Sequence, residues 1–377
     1  MSLIFCPKEI APGETRVAMT PESAARLAAR GLECAVESGA GEASGFLDAE
    51  YDAAGARVVN NRSQGLAAAD VVVGVNPLGL HEIPVMKQGA TTIGFLDPYR
   101  MGDIVRVLAR AGLRAVSLDL VPRTTLAQKM DALSSQAGLA GYVAVVLAAW
   151  RLDKALPLMM TPAGTLQAAK FLILGAGVAG LQAIATAKRL GARVTGFDPR
   201  PAVEEQVKSL GAKFLKIDLG QTGQTEQGYA KELTEEQLAR QREAVALACV
   251  ESDVVITTAQ VFGRPAPRLV TSEILGGMRR GSVVVDLAVA TGGNVEGSKA
   301  DNEVILGQGV KVLGSSTLAR YVPRHASQAY ASNVANYILH FADGGLDFDR
   351  DDEIGRGAVL TRGGRIVQER FQNLEEE

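Results

Sequence analysis

KFLILGAGVAGLQAIATAKRLGARVTGFDPR, residues 170–200, decides the fold. The run KFLIL is apolar and β-prone, LQAIATAKRLGA has helical spacing and RVTGF is a second apolar run, so the stretch predicts strand, tight turn, helix, strand. Gly175 lets the chain turn tightly, Gly177 lets the backbone approach a pyrophosphate, and Gly180 lets the helix lie close on the strand. Val178 and Ala179 open that helix, whose positive end then faces the phosphate charge. Asp198, at the end of the second strand, can accept hydrogen bonds from both hydroxyls of a ribose and repels a 2′-phosphate, which points to NAD rather than NADP. Pro199 follows it. Arg200 pulls the other way, because a nearby Arg can accommodate that phosphate.

Strand and helix patterns continue on both sides of this stretch. Downstream they read KFLKID (213–218), DVVITTA (253–259), SVVVDLA (282–288) and KVLGSS (311–316). Upstream they read LIFCP (3–7), PESAARLAARG (21–31), CAVES (34–38), DVVVGV (70–75), TTIGFL (91–96), DIVRVLARAG (103–112) and RAVSLDL (114–120). The rhythm predicts an α/β protein: two Rossmann-like doubly wound parallel-sheet domains with a nucleotide cleft between them. The first domain is expected over residues 1–128 with a returning segment, 325–377, and the second over 129–324.

The return rests on HASQAYASNVANYILHFADGG (325–345), helical with Gly344 and Gly345 as a stop, and on AVLTRGGRIVQ (358–368), a hairpin around Gly363-Gly364. A helix is expected from about 127 to 150, roughly 36 Å long if continuous at 1.5 Å per residue. Between Leu219 and Val245 the pattern fails, for GQTGQTEQGYAKELTEEQLARQREAV is polar and Gln-rich. The stretch beginning KELTEEQ can be helical, which leaves about a dozen residues as a functional or unstructured connection.

At 377 residues, 47% hydrophobic and 21% charged, the chain is long enough for two domains with ample cores. A formal net charge of −3 offers no concentrated Lys/Arg to neutralise phosphates, so nucleic acid is set aside as a partner. Cys6, Cys34 and Cys249 form no CxxC, and MSLIFCPKEI lacks the basic region and apolar run of a secretory signal, so a reducing cytoplasm fits. The most apolar window, LAGYVAVVLAAW (139–150), is shorter than the ~20 residues a bilayer requires, and no spanning segment is expected. HExxH, GxSxG, a Walker loop and clustered His/Cys are all missing, which leaves hydrolase and metalloenzyme readings without support.

RTTLAQKMDALSSQAGLAGY (123–142) sets Arg123, Gln128, Asp131 and Ser134 close together ahead of the apolar helix. They form either a solvated helix entrance or a prepared binding surface. Arg16, in ETRVAMTP, lies between the first strand and a helix begun by Thr20-Pro21; it can clamp a carboxylate or pair with Glu9 or Glu14. Lys8 and Glu9 carry the same ambiguity. His81 lies in the loop-like GLHEIP, and His325 and His340 in the C-terminal helical region. Each reads as a surface or cap residue rather than a proton-transfer group.

Several of these stretches, in order, carry a resemblance: KEIAPGETRVAMTP, RTTLAQKMDALSSQAGLAGY, GAGVAG with FDPR, GYAKELTEEQ, and VVDLAVATGGNVE. Over essentially its whole length the chain resembles the soluble NAD(H)-binding components of proton-translocating nicotinamide nucleotide transhydrogenases. It is similar, more distantly, to alanine dehydrogenase, which shares the fold. The resemblance implies that Arg123, Gln128, Asp131 and Ser134, with Leu133, hold the nicotinamide and its ribose in position without acting as acid or base. It implies that Gly228 and Tyr229 belong to a mobile loop that closes on nucleotide, and it adds Ala259 and Gln260 to the nucleotide contacts.

Alanine dehydrogenases carry a catalytic Lys, His and Asp in stretches that here read VGVNP (73–77), GFLDPY (94–99) and AVATGG (288–293). Asn76, Asp97 and Ala290 take those places, so the resemblance implies that all three groups are lost. Transfer of hydride between two nicotinamides needs only near-attack geometry in a dry site, which suits a chain without them. The resemblance further implies NADP(H) on a partner subunit, membrane-spanning subunits that carry proton coupling, and a homodimer. It implies no direct membrane insertion and a cytoplasmic position, peripheral on the inner face of the cell membrane. Two other readings stay open: an alanine dehydrogenase-like NAD-dependent amino-acid dehydrogenase with relocated catalytic groups, and a non-catalytic NAD-sensing module.

Overall fold

In a computed structural model of the chain, which describes residues 2–220, 222–223, 233–261, 263–342, 346–348, 350 and 352–375, strand Leu3–Cys6 pairs in parallel with Glu33–Glu37 on one side and Val71–Val73 on the other. The sheet grows outward through Arg57–Val59 beyond Glu33–Glu37, and through Thr91–Gly94 and Arg114–Ser117 beyond Val71–Val73, all parallel. Numbered along the chain these six strands stand in the order 3-2-1-4-5-6 of doubly wound dinucleotide folds. Val71–Val73 is buried throughout, as expected of a strand covered by helices on both faces. The tail closes the sheet: Val359–Arg362 pairs antiparallel with Arg114–Ser117 and with Arg365–Ile366, turning at Gly363 and Gly364, whose φ angles are +57° and +82°.

The chain divides into two compact units, Met1–Gln136 with Arg320–Glu377, and Ala137–Ala319. The helix Ala132–Arg151 starts in one unit and continues in the other. In the second unit Lys170–Leu174 is central, flanked in parallel by Arg193–Phe197 and Val254–Thr257. Lys213–Phe214 lies outside the former; Val283–Asp286, Val310–Gly314 and the antiparallel Asn302–Leu306 lie outside the latter. The order therefore reverses between Lys170–Leu174 and Val254–Thr257, the place where open α/β sheets leave a crevice for ligands at the strand ends.

Several elements differ from the sequence reading. The helix expected from about 127 starts at Ala132; Gln128–Met130 is a separate 3₁₀ turn, because Asp131 (ψ 85°) leaves helical geometry. KFLKID yields only the two-residue strand Lys213–Phe214. The polar connection resumes as helix Glu235–Val250, begun by a capping box between Thr234 and Gln237. The C-terminal helix is Pro323–His340, while Gly344 and Gly345, expected as its stop, lie outside the described residues.

By length and composition Ala132–Arg151, with a mean hydropathy of 1.5, is apolar enough to cross a membrane, which the twelve-residue window had not suggested. Within it Val143, Ala144, Val145 and Ala148 are buried, while Tyr142, Val146 and Trp150 are exposed. Gly141 lies so close to the glycine turn that a Cβ there would come within 2.1 Å of the Ala179 carbonyl oxygen.

Candidate functional site

The glycine-rich turn joins Lys170–Leu174 to the helix Val178–Arg189 at the sheet's reversal point. Gly175 has φ +95°, which an L side chain would strain, and Thr258 Oγ1 donates to its carbonyl at 2.9 Å. A Cβ on Gly180 would lie 1.9 Å from the Gly175 carbonyl oxygen, so that glycine is needed for the fold itself. A Cβ on Gly177 would meet nothing within 4 Å. Packing therefore does not demand glycine at 177, whereas a phosphate lying on the backbone there would. Gly177 caps the helix without a side-chain hydrogen bond, so the first-turn N–H groups of Val178, Ala179 and Gly180 have no capping side chain there, the arrangement by which helix N-termini take up anions. This cradle fits a pyrophosphate.

Asp198 ends the next strand, nearly buried, and accepts from the Ala176 N–H at 2.9 Å. Arg200 Nε and Nη2 each donate to it at 2.8 Å. Arg200 is thus folded onto Asp198 rather than held apart from it. The Pro199 carbonyl accepts from Thr222 Oγ1 at 2.8 Å. Across the reversal point, Ala259 N–H donates to Asn294 Oδ1 at 3.1 Å and Gln260 Nε2 to the Leu287 carbonyl at 2.9 Å. Asn294 is fixed in turn by Asp286, a fully buried carboxylate that also accepts from Thr257, Ala288, Val295 and Ser298. Thr258, Asp286, Asn294 and Gly141 support this site, and the sequence reading singled out none of them. The one available signal was VVDLAVATGGNVE, which joins Asp286 to Asn294. Gly228 and Tyr229 lie outside the described residues.

In the first unit, Asp131 is the N-cap of the long helix: its Oδ1 accepts from Ser134 N–H at 2.8 Å and its Oδ2 from Ser134 Oγ at 2.5 Å. Asp131 N–H donates to the Gln128 carbonyl at 3.3 Å, which ties the cap to the 3₁₀ turn. Gln128 and Arg123 are exposed, Leu133 and Ser134 half-buried. Thr125, Leu126, Gln128 and Lys129 border an open hollow. Asp131 and Ser134 are therefore coupled by contact, while Arg123 stands in irregular chain before the turn.

Arg16 resolves to the ion pair. Its Nε and Nη2 grip both oxygens of Glu14 at 2.8 and 2.7 Å, and Nη1 donates to Gln136 Oε1 at 3.0 Å. Burial opposes the charge on Glu14, but hydrogen bonds from Arg16 outweigh it and hold the carboxyl at about 2. Asn76 Nδ2 donates to Glu9 at 3.0 Å and to Glu14 at 3.1 Å. Burial pushes the Glu9 carboxyl up in spite of donors from Asn76 and Val75. Asp97, with φ +41°, is paired with Arg100. An internal carboxylate thus occupies the guanidinium that a substrate acid would need. His81 and His325 are exposed, and His340 lies 2.6 Å from Asp352, the N-cap of helix Glu353–Ala358. Burial pushes the thiols of Cys6, Cys34 and Cys249 up to about 12, so they are inert at neutral pH.

A glycine cradle at a sheet reversal, with an acidic residue at the next strand end, defines a dinucleotide-binding α/β protein built of Rossmann-like units. The family models described as "Alanine dehydrogenase/PNT, N-terminal domain" and "Alanine dehydrogenase/PNT, C-terminal domain" match residues 5–140 and 144–369. The chain belongs to that family. It is 41% identical over 379 residues to the polypeptide named as the first part of NAD(P) transhydrogenase subunit alpha in Rickettsia prowazekii, with 98% of each chain covered. It is 42% identical over 374 residues to the corresponding polypeptide from Rhodospirillum rubrum, with 97% of each covered. Among solved structures it is similar to a transhydrogenase from Sinorhizobium meliloti, at 42% identity and a TM-score of 0.86 over 98% of this chain and 100% of the other. An L-alanine dehydrogenase aligns with a TM-score of 0.83 at 26% identity, covering 99% of both.

Proposed function

We propose that the chain is the NAD(H)-binding subunit of a proton-translocating, Re/Si-specific NAD(P) transhydrogenase, exchanging hydride directly with NADP(H) held by a partner subunit. The observation that carries this is the pairing of an intact nucleotide cradle, Gly175 to Gly180 with Asp198, with a first unit whose alanine dehydrogenase-like positions are closed. Asn76 is spent on Glu9 and Glu14, and Arg16 is spent on Glu14. The names of the relatives point the same way.

Within this reading the backbone N–H groups of Val178, Ala179 and Gly180 hold the pyrophosphate, and Asp198 takes the ribose hydroxyls, with Pro199, Ala259 and Gln260 beside them. Gln128, Asp131 and Arg123, with Leu133 and Ser134, orient the nicotinamide. Bound NAD(H) supplies the hydride chemistry; the protein supplies placement and dryness, with no acid or base. Proton movement belongs to membrane-spanning subunits, against which this chain is peripheral on the inner face of the membrane. A homodimer is included in the proposal. Trp150 and Met160 are 79% and 85% exposed, large apolar surfaces that self-association would cover.

The test is reconstitution. The purified chain is expected to bind NADH, to leave NADP⁺ unreduced by itself, to transfer hydride once a transhydrogenase NADP(H)-binding subunit is added, and to elute as a dimer in light scattering. NADH formation with L-alanine as sole substrate would replace this reading with an amino-acid dehydrogenase.

A further inference from the structure

Asp198 already has its acceptor positions filled. Its Oδ1 accepts from the Arg200 backbone N–H at 3.0 Å and from Arg200 Nε at 2.8 Å. Its Oδ2 accepts from the Ala176 N–H at 2.9 Å and from Arg200 Nη2 at 2.8 Å. A carboxylate offers about four lone-pair directions, so these four donors saturate it. The side chains are only 5% and 17% exposed, which shields the pair from the screening that makes surface ion pairs weak. The two backbone donors are fixed by the chain, whereas the two guanidinium donors belong to a side chain whose rotatable bonds allow it to leave. They stand one on each oxygen, side by side, as the two hydroxyls of a vicinal diol would.

We propose that Arg200 is an internal competitor for the ribose diol: its guanidinium holds the two Asp198 acceptor positions in the free protein and is displaced when a nicotinamide dinucleotide binds. This rests on the reading of Asp198 as the ribose acceptor. Two consequences follow from the charges. Binding of NADH exchanges one forked pair of hydrogen bonds for another, so Arg200 lowers NADH affinity rather than raising it. For a 2′-phosphorylated nucleotide the same guanidinium offsets the Asp198 carboxylate, so Arg200 raises NADPH affinity. A side chain close to the nucleotide thus weakens the preference for NAD that Asp198 creates.

The experiment measures NADH and NADPH binding to the full-length protein by nucleotide fluorescence for wild type, Arg200→Ala, Arg200→Met and Asp198→Asn. Both Arg200 variants are expected to bind NADH about tenfold more tightly, the scale of a charge-assisted interaction no longer broken on binding. Both should bind NADPH more weakly than wild type. The Met variant keeps most of the stem's packing, so a folding defect in the Ala variant leaves the comparison intact. Unchanged or weaker NADH binding in the Arg200 variants overturns the inference, because Arg200 is then neutral or a nucleotide contact. Asp198→Asn tests the underlying reading separately. If it binds NADH as well as wild type, Asp198 is not the ribose acceptor and both fall; if it binds weakly while the Arg200 variants fail to tighten, the competitor role alone is lost.

Discussion

Asn333 Nδ2 donates to the backbone carbonyl of Lys129 at 2.9 Å, joining the C-terminal helix Pro323–His340 to the turn that carries Gln128 and Asp131. Asn336 Nδ2 donates to the same carbonyl at 2.9 Å, and Ser135 Oγ ties Asn333 Oδ1 to the start of the long helix. Two amides on one carbonyl tie the turn to that helix. If the turn positions a nicotinamide, loosening it should cost rate more than binding. Asn333→Ala with Asn336→Ala is expected to lower hydride exchange by roughly ten- to a hundredfold, the scale of a misplaced near-attack geometry, while NADH affinity changes little. Rates equal to wild type in stopped-flow assays would remove the turn from the reaction.

Arg123 and Gln128 are exposed and lie outside the glycine cradle. Arg123→Ala and Gln128→Ala should fold as wild type and bind NADH within a few-fold, yet exchange hydride at least about tenfold more slowly. Unaltered exchange in both variants would return this stretch to the plain role of a solvated helix entrance.

Gly177 and Gly180 make a contrasting pair. A Cβ at 177 meets no atom within 4 Å, whereas one at 180 falls 1.9 Å from the Gly175 carbonyl oxygen. Gly177→Ala should therefore unfold at the same denaturant midpoint as wild type but bind NADH poorly. Gly180→Ala should lose about 3 kcal/mol of stability through forced backbone movement. Full NADH binding by a folded Gly177→Ala variant would show that no phosphate approaches the turn there.

Glu14 provides a pH signature. Its side chain is 6% exposed and that of Arg16 is 4% exposed, so removing the carboxylate leaves a buried cation without its main partner. Glu14→Gln should cost roughly 3 kcal/mol at neutral pH. The native carboxyl sits at about 2 against an ordinary 4.5, so its stabilisation is present above the unfolded value and is lost as pH falls from 4.5 toward 2. The stability difference between wild type and variant should shrink across that interval in urea titrations. A constant difference would mean that Glu14 does not hold its charge through Arg16.

Much of the fold was legible because buried parallel strands announce themselves as unbroken apolar runs. Val71–Val73 and Val283–Asp286 are wholly buried, and both stood out in the sequence. Arg57–Val59 and Asn302–Leu306 escaped because they are short or half-exposed edges whose pattern is that of a loop. Met159–Thr161 and Gly164–Leu166 form a two-stranded hairpin with little burial, so no periodicity marks it. The nucleotide cradle was readable from local glycine spacing. The pairing of Arg16 with Glu14, two residues apart, was one of the alternatives the sequence offered. The clamp of Asn333 on Lys129 and the buried hub at Asp286 were not readable, because each is set by tertiary packing, and the first of them spans 204 residues. The helix start at Ala132 was missed because Asp131 reads equally well as a helical residue or a cap until its bonds to Ser134 are seen.

The most direct test follows a deuterium label. NADPH carrying deuterium at the transferred C4 position is mixed with the protein, a transhydrogenase NADP(H)-binding subunit and an oxidised NAD analogue, and the reduced analogue is examined by mass spectrometry. Direct exchange between two nicotinamides, with no protein acid or base, requires the deuterium to appear in the analogue without dilution by water. Reduction that carries solvent hydrogen instead, or no reduction with both proteins folded and NADH bound, would contradict the proposed function.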